Sequence, residues 1–268
     1  MAGALDPARA ARWISAARTR CSRRSYTGAS VPDEVLRALT RCAEEFRPFP
    51  GARGVVVPVA SQSMFVGIVG AYGGISNAPS AMVLLGGDET PAEAVGYTGE
   101  ALVLEATALG LDTCWVGGLF SAGHAAREAG AMPGERVFAV CALGQARTRV
   151  TLKERTLFGA SHARPRRSVA EIAPGVDSWP TWARAAVDVV RLAPSAMNKQ
   201  PWRLRLDGDR LVIGAEPPER PRISKRLDCG IAMLHAEIGA LAEGVTGTWE
   251  PCVSPDVATF VPSGVATR

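Results

Sequence analysis

Four segments of this chain carry residue types that could hold a small ligand. Arg20, Ser22, Lys153 and Arg155 are charge-assisted donors of the kind that bind a phosphate, although arginine clusters are also common on solvated basic surfaces. Gly117 and Gly118, after Trp115-Val116, read either as a simple turn or as a place of close backbone approach. Ala193-Pro194-Ser195-Ala196-Met197 leads into Asn198-Lys199-Gln200-Pro201-Trp202, where the Asn198 amide can both donate and accept. The same five residues occur from Ala78 to Met82, but that copy runs into an apolar strand and carries no equipment for binding.

Other chemistries are missing. The sequence has 3 His and 6 Cys with no C-x-x-C and no histidine at metal spacing, which argues against zinc and iron-sulfur sites. No catalytic triad or carboxylate pair is visible, and Cys114 lies in apolar surroundings that favour packing over nucleophilic use. At 47% hydrophobic and 21% charged, the 268 residues form an ordinary globular chain, and a net charge of +4 leaves room for an anionic ligand without requiring nucleic acid. Aromatics at 6% and the lack of a recognisable module argue further against nucleic-acid binding. The long uncharged stretch from Gly54 to Gly87 is broken by Pro58, Ser61, Gln62 and Pro79, so no membrane span is expected, and reduced thiols make the cytoplasm the expected compartment.

The elements that must position these segments follow from periodicity. Although the N-terminus has the Arg- and Ala-rich composition of a transit peptide, Asp6-Pro7 predicts a helix start, with Trp13, Ile14 and Ala17 on one face. A second helix follows Pro32-Asp33, burying Val35, Leu36, Leu39, Cys42, Ala43 and Phe46. Short apolar runs at Val55 to Ala60, Ala81 to Leu85 and Arg136 to Leu143 predict buried strands. Gly99 to Leu109 predicts a central helix, Trp182 to Leu192 another, and Ile231, Leu234, Ile238 and Leu241 a last one capped by Asp228. Asp207-Gly208 marks a hairpin between Arg203–Leu206 and Leu211–Ala215. The pattern predicts an α+β fold, and no G-x-G-x-x-G follows a strand.

The two parts of the chain echo each other. Arg20-x-Ser22 is matched by Arg166-x-Ser168, Gly99 with its helix by Gly230 with another, and Trp115 by Trp249, which suggests internal duplication.

Arg20-x-Ser22-x-Arg24-x-Tyr26, Leu109-Gly110-Leu111-Asp112-Thr113-Cys114-Trp115-Val116-Gly117-Gly118 and Ala193 to Trp202, together with Lys153-x-Arg155, resemble the signature segments of the FMN-dependent nitroreductase family. In that family the Arg-x-Ser-x-Arg motif precedes the Ala-Pro-Ser segment by some 25 to 30 residues. Here Arg20 is followed at that distance by Phe46-Arg47-Pro48-Phe49-Pro50, whereas Arg166 keeps the spacing to Ala193 in a motif decayed to Arg166-x-Ser168-x-Ala170. Trp249 likewise lacks the glycine pair that follows Trp115.

Since members of the family are two-fold dimers with flavins between subunits, the resemblance implies a single-chain pseudo-dimer. It implies a nitroreductase-like fold, a central mostly antiparallel sheet flanked by helices, with a first half at 1–160 and a second at 161–268. One composite FMN site would survive, with Arg166 idle in the dead copy. By resemblance Arg20, Ser22, Lys153 and Arg155 take the flavin phosphate and Arg24 the pyrimidine edge. Trp115, Val116, Gly117 and Gly118 border N5 and O4, and Pro194, Ser195, Ala196 and Asn198 lie against the ring and ribityl chain. Gln200 and Trp202 are expected to anchor that loop.

The implied function is hydride transfer from NAD(P)H through bound flavin to a nitroaromatic, quinone or related small acceptor, with no residue of the chain itself catalytic. Two alternatives are a flavin-binding sensor or storage protein without turnover, and a specialised enzyme of the same fold that reduces double bonds, dehalogenates or fragments flavin. The chain is expected to act as a monomer, with further association open.

Overall fold

The computed structural model describes residues 5–66, 74–118, 120–147, 165–217 and 224–265. The chain divides into two compact units. The first comprises Met1–Ala4, Thr19–Pro91 and Ala101–Arg164, and the second Leu5–Arg18, Ala92–Glu100 and Pro165–Arg268.

The first unit contains α2 (Asp33–Glu45), β1 (Arg53–Val57), β2 (Ser80–Gly87), β3 (Asp112–Val116), α4 (Ala122–Glu128) and β4 (Glu135–Gly144). Its strands form one sheet in the order β1-β2-β4-β3, and every pairing is antiparallel. β2 and β4 lie in the middle, consistent with their near-continuous apolar sequence, and pack with Tyr26, Met64, Phe65 and Cys114 into the unit's core. Arg53 and Glu135 form a two-pronged ion pair, each contact 2.6 Å.

The second unit contains α1 (Pro7–Thr19), α5 (Val169–Ile172), α6 (Thr181–Val190), β5 (Trp202–Asp207), β6 (Arg210–Ala215), α7 (Lys225–Ala242), β7 (Val245–Pro251) and β8 (Asp256–Val265). Its strands follow the same path, β5-β6-β8-β7, again wholly antiparallel. The expected α+β fold and its duplication are therefore present as two sheets of one topology rather than a single sheet. Asp6 caps α1 by accepting from the Arg9 amide at 2.8 Å. α6 and α7 cross where a Cβ on Gly239 would stand 2.7 Å from the Ala186 Cα.

The helix α3 (Ala92–Ala108) contributes its first nine residues to the second unit and the rest to the first. It starts seven residues before the predicted Gly99, because Gly96 and Tyr97 blurred the apolar pattern there. α3 and α7 end alike: Leu109 and Glu243 close them, and Gly110 and Gly244 follow in the left-handed region at φ 83° and 80°. Three further expectations shift. Asp228 sits inside the first turn of α7, behind the actual cap position Ser224. The hairpin turn is Gly208-Asp209, one residue later than read. β7 and β8 were not predicted, since glycines and prolines interrupt their alternation.

Candidate functional site

In the first unit, the segment after α1 lies against the edge strand β3. Ser22 forms a parallel bridge with Thr113, and the Arg23 amide donates to the Thr113 carbonyl at 3.0 Å. The Arg24 carbonyl accepts from the Ser76 amide at 2.9 Å. The fold thus brings Ser22 and Arg23, flanked in sequence by Arg20 and Arg24, beside the strand that ends in Trp115-Val116 and continues into Gly117-Gly118.

Arg20 Nη1 donates to Ser22 Oγ at 3.2 Å, and Arg23 Nη2 donates to the Arg147 carbonyl. The Nε atoms of Arg20 and Arg23, and Thr113 Oγ1, are buried without a hydrogen-bond partner among the described residues. Each such atom costs about 1–3 kcal/mol, so three in one neighbourhood mark a place suited to a polar ligand.

Gly117 is half-buried, its backbone is outside the left-handed region, and a Cβ there would meet nothing within 4 Å. The protein's own packing does not require glycine at this position. Cys114 is buried in the core, as its surroundings predicted. Lys153 and Arg155 lie outside the described residues.

In the second unit, the Ala193–Gln200 loop is clamped by side chains. Arg166 donates to the carbonyl of Leu192 at 2.9 Å and to that of Ala193. Gln200, 1% exposed, accepts from the Arg167 amide at 2.8 Å and donates to the carbonyls of Pro165 and Asn198 at 3.1 and 3.2 Å. Ser195 Oγ accepts from the Gln200 amide at 2.8 Å, and Asp228 accepts from the Ala196 amide.

Within this clamp Met197, Asn198 and Gln200 all have left-handed backbones, at φ 55°, 50° and 50°. That conformation costs a non-glycine residue about 1–2 kcal/mol and persists where the surroundings over-determine it, commonly at ligand sites. Gln200 therefore anchors the loop as expected. Arg166 does so too, which corrects its reading as an idle remnant. Its neighbour Ser168 has been taken up in a capping box with Glu171, donating to Oε2 at 2.8 Å and accepting from the Glu171 amide at 3.3 Å.

Two polar clusters of the second unit, one buried and one half-buried, leave no signal in the sequence. His235 Nε2 meets Glu100 Oε1 at 3.0 Å while Nδ1 meets the Val189 carbonyl at 3.0 Å. Glu237 Oε2 accepts from Tyr97 Oη at 2.8 Å and Trp249 Nε1 at 2.7 Å. Burial raises the Glu237 carboxyl above its ordinary range, and burial beside Glu237 pushes the Tyr97 hydroxyl well up. Since the partners are 12 to 140 residues apart, periodicity gave no signal for them.

A family model described as "Putative TM nitroreductase" matches residues 13–240. The chain is similar to the crystal structure of "a putative nitroreductase" from Thermotoga maritima MSB8, with 21% identity, 92% of each chain covered and a TM-score of 0.62, which is a likeness of fold. A nitroreductase family protein from Clostridium difficile 630 is 20% identical over 59% of this chain and 95% of its own, with a TM-score of 0.44. A nitroreductase with bound FMN from Bacteroides fragilis NCTC 9343 is 15% identical over 52% of this chain and 91% of its own, with a TM-score of 0.41. No curated protein matches the sequence. Among the described residues no helix is long and apolar enough to cross a membrane, and no group of His, Cys, Asp and Glu could hold a metal.

Proposed function

The chain belongs to the family described as "Putative TM nitroreductase", and from that membership we propose that it is an FMN-dependent oxidoreductase using NAD(P)H and a nitroaromatic, quinone or related small acceptor. The observation that carries the reading is the trio of unpartnered buried atoms, Arg20 Nε, Arg23 Nε and Thr113 Oγ1, at the strand β3 that runs on into Gly117, where a Cβ would meet nothing within 4 Å. Donors without partners suit an anionic group, and a glycine that its own protein does not need suits a flat ring approaching the backbone.

When bound, FMN would supply the redox chemistry, accepting hydride from the nicotinamide and returning two electrons to the acceptor. The chain's own residues bind and orient. Arg20 and Ser22, with Lys153 and Arg155 from outside the described residues, neutralise the phosphate. Arg24 offers a cation to the pyrimidine edge. Trp115, Val116, Gly117 and Gly118 present backbone rather than bulk beside the reactive edge. Pro194, Ser195, Ala196 and Asn198, on the clamped loop, are the residues assigned to the ring and ribityl chain. Hydrolytic or metal-assisted groups play no part in this scheme.

The test is to load the purified chain with FMN, remove excess by dialysis, and add NADH or NADPH anaerobically. Bleaching of the flavin, followed by recovery with a nitroarene or quinone, is expected. A flavin that is bound but never reduced by either nicotinamide would replace this reading with a binding role.

A further inference from the structure

We propose that Asp228 is a positioning residue, whose buried carboxylate fixes the Ala196 amide and so sets the left-handed Met197-Asn198 run before any flavin arrives. Asp228 is 4% exposed, in the first turn of α7, and its Oδ1 and Oδ2 accept from the Ala196 amide at 3.1 and 3.3 Å. Ala196 is the residue from which the strained turn departs: Ser195 before it is extended at φ −148° and ψ 161°, and Met197 after it is left-handed. Arg166, Ser195 and Gln200 hold the two ends of the loop, while the Asp228 carboxylate accepts from the Ala196 amide inside it.

The duplication supplies an independent argument. Gly96 and Gly230 occupy equivalent places in α3 and α7, an offset of 134 positions (230 − 96 = 134) shared by Gly110 with Gly244 and Trp115 with Trp249. At that offset the counterpart of Asp228 is Ala94, a buried apolar residue. The first half has also lost the Ala-Pro-Ser loop, having Phe46-Arg47-Pro48-Phe49-Pro50 in its place. The carboxylate is present in the copy that keeps the loop and missing from the copy that lost it. A buried polar side chain kept in one copy only is explained by a task that only that copy performs.

The inference rests on the proposed FMN site for its purpose but on hydrogen bonding for its mechanism, so two readouts separate the two. Amide hydrogen exchange at Ala196 in the flavin-free full chain reads the positioning alone. Asp228→Ala should raise that exchange about tenfold or more, and Asp228→Asn, which keeps one accepting oxygen, should restore it to within about threefold. FMN affinity and the visible spectrum of the bound flavin should follow, with a loss of about ten- to a hundredfold for Asp228→Ala and rescue by Asp228→Asn.

Ala196→Pro provides a second route that leaves α7 untouched. It deletes the donor at a position whose preceding residue already has the extended backbone proline demands, and it should weaken FMN binding as Asp228→Ala does. Unchanged Ala196 exchange in a folded Asp228→Ala protein overturns the proposal, as does full FMN affinity in Ala196→Pro. Failure of the unaltered protein to bind FMN, with the exchange result as expected, overturns the flavin reading and leaves the positioning role standing.

Discussion

Gly96 and Gly230 are reciprocal. A Cβ on Gly96 would stand 2.1 Å from the carbonyl oxygen of Leu227, and one on Gly230 would stand 1.9 Å from that of Glu93. Glu93 precedes Gly96 by three residues, and Leu227 precedes Gly230 by three. Each helix therefore offers the other the same glycine and the same carbonyl, which is the contact rule of a two-fold interface, here within one chain. Neither glycine has space for a methyl group, and the obstacle is backbone. Gly96→Ala and Gly230→Ala should each cost about 3 kcal/mol, roughly 6–12 °C in Tm by thermal denaturation. Gly123→Ala, in α4 with open space around it, should be neutral or slightly stabilising.

The ion pair of Arg53 with Glu135 has a predictable pH signature. The Arg53 side chain holds the Glu135 carboxyl below its usual range. A carboxyl lowered on folding contributes stability that is fully present above its unfolded pKa and is lost as pH falls through the lowered value. Glu135→Gln should therefore destabilise by about 1–2 kcal/mol at neutral pH, with the gap closing under acid. Glu237 runs the other way: raised by burial, it loses stability as pH climbs from the ordinary range towards the raised value. Glu237→Gln keeps a carbonyl oxygen for Tyr97 and Trp249, so it should match the native protein below about pH 4 and exceed it at neutral pH. Melting curves across pH check both.

Much of this was legible in the sequence because the signals were local. The α1 cap at Asp6, the β5-β6 hairpin and the buried middle strands β2 and β4 each follow from neighbouring residues. The duplication was legible too, but its exact register was not. Gly99 looked like the partner of Gly230, whereas the close approach of two backbones, visible only in three dimensions, makes the partner Gly96. The same limit hid the work of Arg166 and Asp228: both serve the loop through backbone carbonyls and amides some thirty positions away, and no spacing rule encodes such a contact.

Arg20 and Arg166 should now behave differently in kind rather than one being silent. Arg20→Ala removes a charge-assisted donor proposed for the phosphate and should weaken FMN binding about ten- to a hundredfold, with little effect on Tm. Arg166→Ala releases the carbonyls of Leu192 and Ala193 and should loosen the loop, lowering Tm and flavin affinity together. Isothermal titration beside thermal melts distinguishes the two patterns. A lowered affinity for Arg166→Ala with none for Arg20→Ala would reverse the assignment of the halves.

Gly117→Val places a branched side chain in space that the protein leaves open. The variant should fold and retain FMN near the native level while anaerobic reduction by NAD(P)H slows by at least about tenfold. Stopped-flow bleaching of the flavin reads the rate. Full turnover at normal flavin content would remove Gly117 from the reactive edge.

The proposed reduction of two copies of the nitroreductase pattern to one working flavin site in one chain fixes the flavin stoichiometry. Titrating the purified protein with FMN, and following the absorbance of the bound flavin after dialysis, measures this directly. Saturation is expected at one FMN per 268-residue chain, with the protein competent as a monomer. A colourless protein after dialysis, two flavins per chain, or one flavin per two chains would contradict it.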